Sequence, residues 1–245
     1  MEPRKHYSRS PIAEAVINLR VELPDGVALT TLTGVHQPIE ADYPKLQDIL
    51  VFQGQMTAGP SVGTTASQTQ IGYCYWSSDE KQAVQARLDG FTFSRLAPYD
   101  CWERFRDEAM RLWHIYRELT QPKAITRVAI RYINRVDVPL PLGDLKEYLR
   151  TVPEVSPDLS QGLSGYFMQL QIPQEDIKGM LVLNEAIVPP TQPDSVSILL
   201  DIDLYQEIDI PHDEPGLWAA IEKLHDRTDL VFEACITDRT RELIH

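Results

Sequence analysis

Apolar and polar residues alternate along several stretches of the chain, and this period of two is typical of β-strands with one buried face. The alternation begins after Pro11, and the apolar positions of this first strand are Ala15, Ile17, Leu19, Val21 and Leu23. Further strands are predicted at 49–53, 70–76 and 82–95. The segment 57–69 is rich in Gly, Ser, Thr and Pro, and we expect a long exposed loop there.

A long helix is predicted to close the first half of the chain. Its apolar positions recur at helical spacing and are Trp102, Phe105, Ala109, Leu112, Trp113, Tyr116 and Leu119. Pro122 ends this helix because proline cannot continue it. The second half has a strand at 125–138, a short helix at 143–150, strands at 166–172, 180–188 and 195–208, and a final helix over 215–243.

Each half therefore follows the same order of strand, short helix, three strands and long helix. We predict an α+β fold that is internally duplicated, with antiparallel sheet or sheets and two long helices. The two halves are residues 1–121 and 122–245. Since no long flexible linker divides them, we expect one compact unit.

Composition places the chain among folded soluble proteins, with 43% hydrophobic and 24% charged residues. It has neither a run of about 18 apolar residues nor the pattern of a secretion signal, so we expect a cytoplasmic protein without a membrane partner. Cys74, Cys101 and Cys235 are too scattered for a metal site or a disulfide framework, and we expect reduced thiols. The net charge of −13 disfavours non-specific nucleic-acid binding.

Three arginines in the strand at 125–138 form the strongest candidate site. Arg127, Arg131 and Arg135 are separated by even numbers of residues, so a regular strand projects all three from one face, over about 27 Å at about 3.4 Å per residue. Such a row suits carboxylates or phosphates. The alternative is that the arginines pair with the protein's own acids on neighbouring strands. Arg20 holds a similar place in the first strand and extends the surface if the duplication is real.

An acidic strand supplies an alternative site. Asp201 and Asp203 share one face, and such a pair can hold a divalent metal for phosphoryl or nucleotidyl transfer, with Glu185 as a third ligand. The pair resembles the Asp-x-Asp of minimal nucleotidyltransferases, but the Gly-Ser turn that those enzymes need ahead of a helix is missing. The competing interpretation is an ordinary strand with an exposed polar face.

Other chemistry has no sequence support. The six histidines are dispersed, and the chain contains no zinc-binding spacing, no serine or cysteine nucleophile in an activating motif and no phosphate-binding glycine loop. We therefore expect no catalytic residues and no cofactor, and a metal only under the alternative above.

Short motifs spread over the chain carry a family resemblance. They are Pro11–Ala15, Phe93–Leu96 with Tyr99 and Trp102, the central run Arg131–Arg135, and Phe232-Glu233 with Ile236-Thr237. The sequence resembles a sporadically distributed, uncharacterised family of prokaryotic proteins with an N-terminal PIxEA motif and a central RYINR strand. The family has no established activity, so the resemblance implies no reaction. Its patchy distribution suggests mobile genes, such as defence or toxin–antitoxin cargo.

Together these observations favour a non-catalytic binding protein, accessory to such a system. It would hold an acidic protein segment or a nucleotide-like ligand on the sheet face of Arg127, Arg131 and Arg135. Self-association through an apolar surface is compatible with this role. The alternative is a metal-dependent phosphoryl- or nucleotidyl-transfer enzyme that uses Asp201, Asp203 and Glu185.

Overall fold

The structure is a computed structural model of the chain. It describes residues 7–57, 63–159, 163–211 and 213–245, with the backbone alone for residues 55–57 and 63–65.

The described residues form a mixed α/β structure with one large antiparallel sheet. Its nine strands are β1 (Ile12–Glu22), β2 (Lys45–Thr57), β3 (Gly63–Trp76), β4 (Gln82–Arg87), β5 (Gly90–Leu96), β6 (Ala124–Pro139), β7 (Phe167–Gln174), β8 (Gly179–Val188) and β9 (Ser195–Gln206). Their order in the sheet is β2-β3-β4-β5-β1-β6-β9-β8-β7. The α-helices are α1 (Leu29–Leu32), α2 (Trp102–Thr120), α3 (Glu214–Cys235) and α4 (Asp238–Ile244).

The chain divides into two compact units. The N-terminal unit comprises Asn18–Ser94 and Cys101–Thr126, and the C-terminal unit comprises Met1–Ile17, Arg95–Asp100 and Arg127–His245. The N-terminal unit thus contains β2–β5 and α2, and the C-terminal unit contains β7–β9, α3 and α4.

In the N-terminal unit, α2 packs on one face of the sheet through aromatic side chains. Phe91 of β5 lies edge-on to Trp113 with ring centroids 5.7 Å apart, and Phe93 stacks on Phe105 at 5.2 Å. All four side chains are buried. The helix ends at Gln121, which adopts the left-handed conformation (φ 46°) just before Pro122.

In the C-terminal unit, α3 lies against β9. The alternating residues Leu200, Ile202 and Leu204 of β9 are buried, as the period of two requires for a strand with one covered face. The helix begins after Asp213, whose carboxylate accepts a 2.7 Å hydrogen bond from the Gly216 amide. It ends at Cys235, because Ile236 is extended, and α4 follows as a separate helix.

The prediction of a long loop at 57–69 is wrong for the described part of that segment. Strand β2 continues to Thr57 and β3 begins at Gly63, and the two strands pair residue by residue from Leu50 opposite Gln70 to Thr57 opposite Gly63. Residues 58–62 lie outside the described residues. Threonine favours extended backbone, and cross-strand pairing with β2 outweighs the loop-like composition.

No helix in the described ranges is long and apolar enough to cross a membrane.

Candidate functional site

Strand β6 carries the three arginines on the side that faces away from α3. On the α3 side, the Tyr132 hydroxyl lies 3.0 Å from Nδ1 of His225, and both residues are buried. Arg127, Arg131 and Arg135 are each an odd number of residues away from Tyr132 and therefore project from the other side. We call this side of β6 and the adjoining strand β9 the arginine face.

Arg131 forms the best-ordered pair on the arginine face. Its Nε and Nη2 atoms donate to the two oxygens of Asp201 on β9 at 2.7 and 2.6 Å. This fork-to-carboxylate geometry is the strongest form of the ion pair, and the Asp201 hydrogen bond raises the pKa of Arg131 further. Asn184 of β8 donates to the same carboxylate at 2.9 Å. The Arg131 side chain is 43% exposed and that of Asp201 only 3%.

Arg127 contacts a carboxylate and an aromatic ring that both lie on β9. Its Nη2 donates to Asp203 at 3.3 Å, and its guanidinium lies 4.3 Å from the ring centroid of Tyr205. The pKa of Asp203 is raised because burial disfavours its charge more than the charges of Arg127 and Arg131 favour it.

Arg135 contacts mainly uncharged groups. Its Nη2 donates to the Ser197 hydroxyl at 2.9 Å and to the Pro189 carbonyl, and its Nε lies 3.4 Å from Asp137. Burial acts to raise the pKa of Asp137, but hydrogen bonds from Ser197, Thr191 and Arg135 outweigh it and lower that pKa.

The arginine face is therefore not a basic surface. Its three arginines are matched by three aspartates on the same two strands, namely Asp137, Asp201 and Asp203. Glu14 of β1 also acts electrostatically on Arg131. Any anion that binds here approaches arginines whose charge is already partly neutralised by carboxylates of the chain.

Arg20 belongs to the other unit and has different surroundings. It is exposed on β1 and, within the described residues, donates no hydrogen bond. It lines a cavity of about 80 Å³ together with Asn18, Arg87, Asp89 and Gly90.

The structure does not bring the three carboxylates of the alternative metal site together. Asp201 and Asp203 lie on the arginine face, where each pairs with an arginine. Glu185 lies directly opposite Leu200, whose side chain points to the α3 side, so Glu185 also projects to the α3 side and away from the arginine face. In the described part of the chain, no group of three or more His, Cys, Asp or Glu side chains is arranged to hold a metal.

Glu185 is instead a carboxyl group in the core, with no ion pair among the described residues. It is fully buried, and neither of its oxygens has a hydrogen-bond partner among the described residues. Burial raises its pKa to about 7. Tyr166 and Cys235 are the titratable groups that interact with it, and burial raises the pKa of each to about 12. The sequence contained a signal for this burial, because Glu185 continues the alternation of the buried Leu181 and Leu183.

A second exposed surface lies at the sheet edge in the N-terminal unit. We call the paired strands β2 and β3 the edge ribbon; β2 is an outermost strand of the sheet. Its exposed apolar side chains are Leu46, Leu50, Val51 and Phe52, and Phe52 is 72% exposed. Of the 27 residues in the two strands only Lys45 and Asp48 are charged.

No protein-family model matches the sequence, and no curated protein matches it.

Proposed function

We propose that this chain is a non-catalytic binding protein that holds an acidic segment of a protein partner on the arginine face. A nucleotide-like ligand is the other anion of the right chemistry. A role beside a prokaryotic defence or toxin–antitoxin system is part of the proposal and rests on the family resemblance. A cytoplasmic location suits the three cysteines, all of which are free thiols.

The observation that carries the proposal is the unequal exposure of Arg131 and Asp201. The carboxylate is buried beneath the guanidinium, which is 43% exposed. The bonds to Asp201 use Nε and Nη2, so Nη1 of Arg131 has no hydrogen-bond partner among the described residues. A partner carboxylate can therefore accept from Nη1 without displacing Asp201, and Asp201 holds the guanidinium in position for it.

Neighbouring groups favour a polar partner over an apolar one. Arg135 is 31% exposed, and its closest contacts, Ser197 and the Pro189 carbonyl, are uncharged. Its charge is therefore less neutralised than that of Arg131. A segment with two acidic residues spaced along β6 can bind both arginines.

Binding of a labelled oligo-glutamate peptide, followed by fluorescence anisotropy at physiological ionic strength, tests the proposal. At that ionic strength the Debye length is about 8 Å, so the chain's distant acids contribute little repulsion. We expect Asp201→Asn to bind more tightly than wild type, because it removes the negative charge beside Arg131 while the amide oxygen at position 201 can still accept from the guanidinium. The double variant Arg131→Gln with Asp201→Asn removes the cation without leaving a buried charge and should bind about tenfold more weakly than wild type.

Arg239→Gln is the matched control, because Arg239 is an exposed arginine of the same unit on α4 rather than on β6. It should leave peptide affinity unchanged. Equal affinities of wild type and the double variant would show that the arginine face is not the binding surface.

We also propose that the chain self-associates through the edge ribbon. The near absence of charge in this ribbon and its position at the edge of the sheet favour this property. The outer edge of β2 presents unpaired backbone groups that another strand can complete. The chain carries a net charge of −13, so two copies repel each other except where charge is missing, and β2 has no charged residue after Asp48. Antiparallel pairing of two β2 strands gives a closed twofold dimer, whereas pairing of β2 with β7 of another copy gives an open fibre.

Light scattering during size-exclusion chromatography tests this property. We expect wild type to be a dimer and Phe52→Lys to be a monomer. Leu230→Lys is the control, because Leu230 is 64% exposed on α3, outside the edge ribbon. A monomeric wild type at high concentration would exclude the dimer.

Internal duplication also stays a proposal, supported by the sheet order. The opening strand of each half lies beside the strand that precedes the long helix: β1 beside β5, and β6 beside β9. The halves differ because four strands lie between β1 and α2 but three between β6 and α3. A superposition of residues 12–120 on residues 124–235 tests it; a common core with the strands in corresponding order is the expected result.

A further inference from the structure

A small polar cavity lies in the N-terminal unit, between β1 and the turn that joins β4 to β5. Its volume is about 80 Å³, and its lining residues are Asn18, Arg20, Arg87, Asp89 and Gly90. Liquid water occupies about 30 Å³ per molecule, so the cavity has room for a group the size of a few waters. Because four of the five lining residues are polar or charged, the cavity suits a small charged group.

The charge of this cavity is positive, unlike that of the chain. Arg20 and Arg87 contribute two positive charges and Asp89 one negative charge. Arg87 donates from Nε and Nη2 to the two oxygens of Asp89, both at 2.8 Å. Burial acts to raise the pKa of Asp89, but the Arg87 hydrogen bonds and the charges of Arg87 and Arg20 outweigh it and lower that pKa. Asp89 is thus ionised and neutralises only one of the two arginines.

The backbone around the cavity is held in place. The Tyr116 hydroxyl of α2 donates to the Arg87 carbonyl at 2.8 Å, and the Val21 amide donates to the Asp89 carbonyl at 3.0 Å. A Cβ atom at Gly90 would lie 2.3 Å from the Leu19 carbonyl oxygen, so only glycine permits this approach of the turn to β1. The two arginines therefore project from fixed positions.

We propose that this cavity binds a single phosphate group, either inorganic phosphate or the terminal group of a phosphomonoester. Its oxygens accept hydrogen bonds from Arg20, which has no other hydrogen-bond partner among the described residues, and from the Nη1 edge of Arg87 that Asp89 leaves open. The compact tetrahedral group can contact both guanidiniums at once. This site is separate from the arginine face and does not depend on the proposed function.

Isothermal titration calorimetry with inorganic phosphate at low ionic strength tests the site. We expect saturable one-site binding to the full-length chain and a loss of at least about tenfold in affinity for Arg20→Gln. Arg20 is exposed, so its replacement leaves the fold intact. Arg106→Gln is the matched control, because Arg106 is an arginine of α2 in the same unit that pairs with Asp107, outside the cavity; its affinity should match wild type within about twofold.

A parallel titration with adenosine monophosphate separates the two sources of phosphate. Tighter binding of the nucleotide than of inorganic phosphate identifies a phosphomonoester site, and the reverse order identifies a site for the free anion. Absence of saturable phosphate binding up to about 10 mM would overturn the proposal, as would equal affinities of wild type and Arg20→Gln. The oligo-glutamate peptide should bind Arg20→Gln as it binds wild type, so failure here leaves the function proposed for the arginine face intact.

Discussion

Arginines in the two units have opposite surroundings, although they lie on similar strands. In the C-terminal unit, Arg127 and Arg131 pair with aspartates of β9. In the N-terminal unit, Arg20 donates no hydrogen bond among the described residues and lies beside a cavity. Arginines thus neutralise the aspartates of β9 in one unit, whereas Arg20 remains available to a ligand in the other.

The difference arises from the strand beside each arginine. One of the two neighbours of β6 is β9, which carries Asp201 and Asp203 on the face that the arginines occupy. Near Arg20 the one carboxylate that lines the cavity is Asp89, and Arg87 already binds both of its oxygens. Whether an arginine is free is therefore decided by residues distant in sequence.

The largest contrast between the units should be in stability. Arg131→Ala leaves the buried Asp201 carboxylate without its cation, and we expect it to lower the free energy of unfolding by about 3–5 kcal/mol. Arg20→Ala removes an exposed side chain with no hydrogen bond and should change it by less than about 0.5 kcal/mol. Urea denaturation at neutral pH measures both.

The control for this contrast is the double variant Arg131→Met with Asp201→Asn, which removes both charges. It should recover most of the stability that Arg131→Ala loses, because no buried charge remains unpaired. If Arg131→Ala were as stable as wild type, the pair would contribute nothing to the fold.

Glu185 is a buried carboxyl group that pairs with no arginine among the described residues, in contrast to Asp201, and it should make stability depend on pH. The pKa of Glu185 is raised from the ordinary 4.5 to about 7, so the folded state binds more protons than the unfolded state between these values. Stability from this group is complete below pH 4.5 and is lost as pH rises through 7, by roughly 3 kcal/mol in total. Denaturation measured between pH 5 and 8 should show wild type losing stability.

Glu185→Gln should lose much less stability over the same range and be more stable than wild type at pH 8. Tyr166 and Cys235, which interact with Glu185, stay protonated there because the pKa of each is about 12. An equal pH slope in wild type and Glu185→Gln would show that Glu185 does not titrate between these pH values.

The sequence predicts strands and helices best where apolar spacing is regular. The spacing that predicts the helix after Asp100 agrees with α2, whose residues Trp102, Phe105 and Trp113 are buried. The prediction fails at the start of β3, because residues 63–70 are rich in Thr and Gln and show no apolar alternation. This part of β3 is a strand because it pairs with β2. Sheet order depends on such distant pairings, which no local pattern contains.

The candidate site is only partly predictable for the same reason. Strand alternation is enough to predict that Arg127, Arg131 and Arg135 share a face. The pairing of Arg131 with Asp201 follows from the register of β6 against β9, which the sequence does not specify. Likewise, Arg20 and Arg87 are 67 residues apart in the chain, and the cavity between them exists only once β1 lies near the β4–β5 turn.

The smallest expected effect is a change in phosphate affinity when the aspartate beside the cavity loses its charge. Asp89→Asn frees the Nε and Nη2 edge of Arg87 and raises the charge of the cavity, so inorganic phosphate should bind a few-fold more tightly in calorimetry. Asp107→Asn removes the carboxylate that pairs with Arg106 on α2, away from the cavity, and should leave phosphate affinity unchanged. Both aspartates are largely exposed, so each variant should stay within about 1 kcal/mol of wild-type stability. Equal phosphate affinities of Asp89→Asn and Asp107→Asn would mean that the phosphate does not contact Arg87.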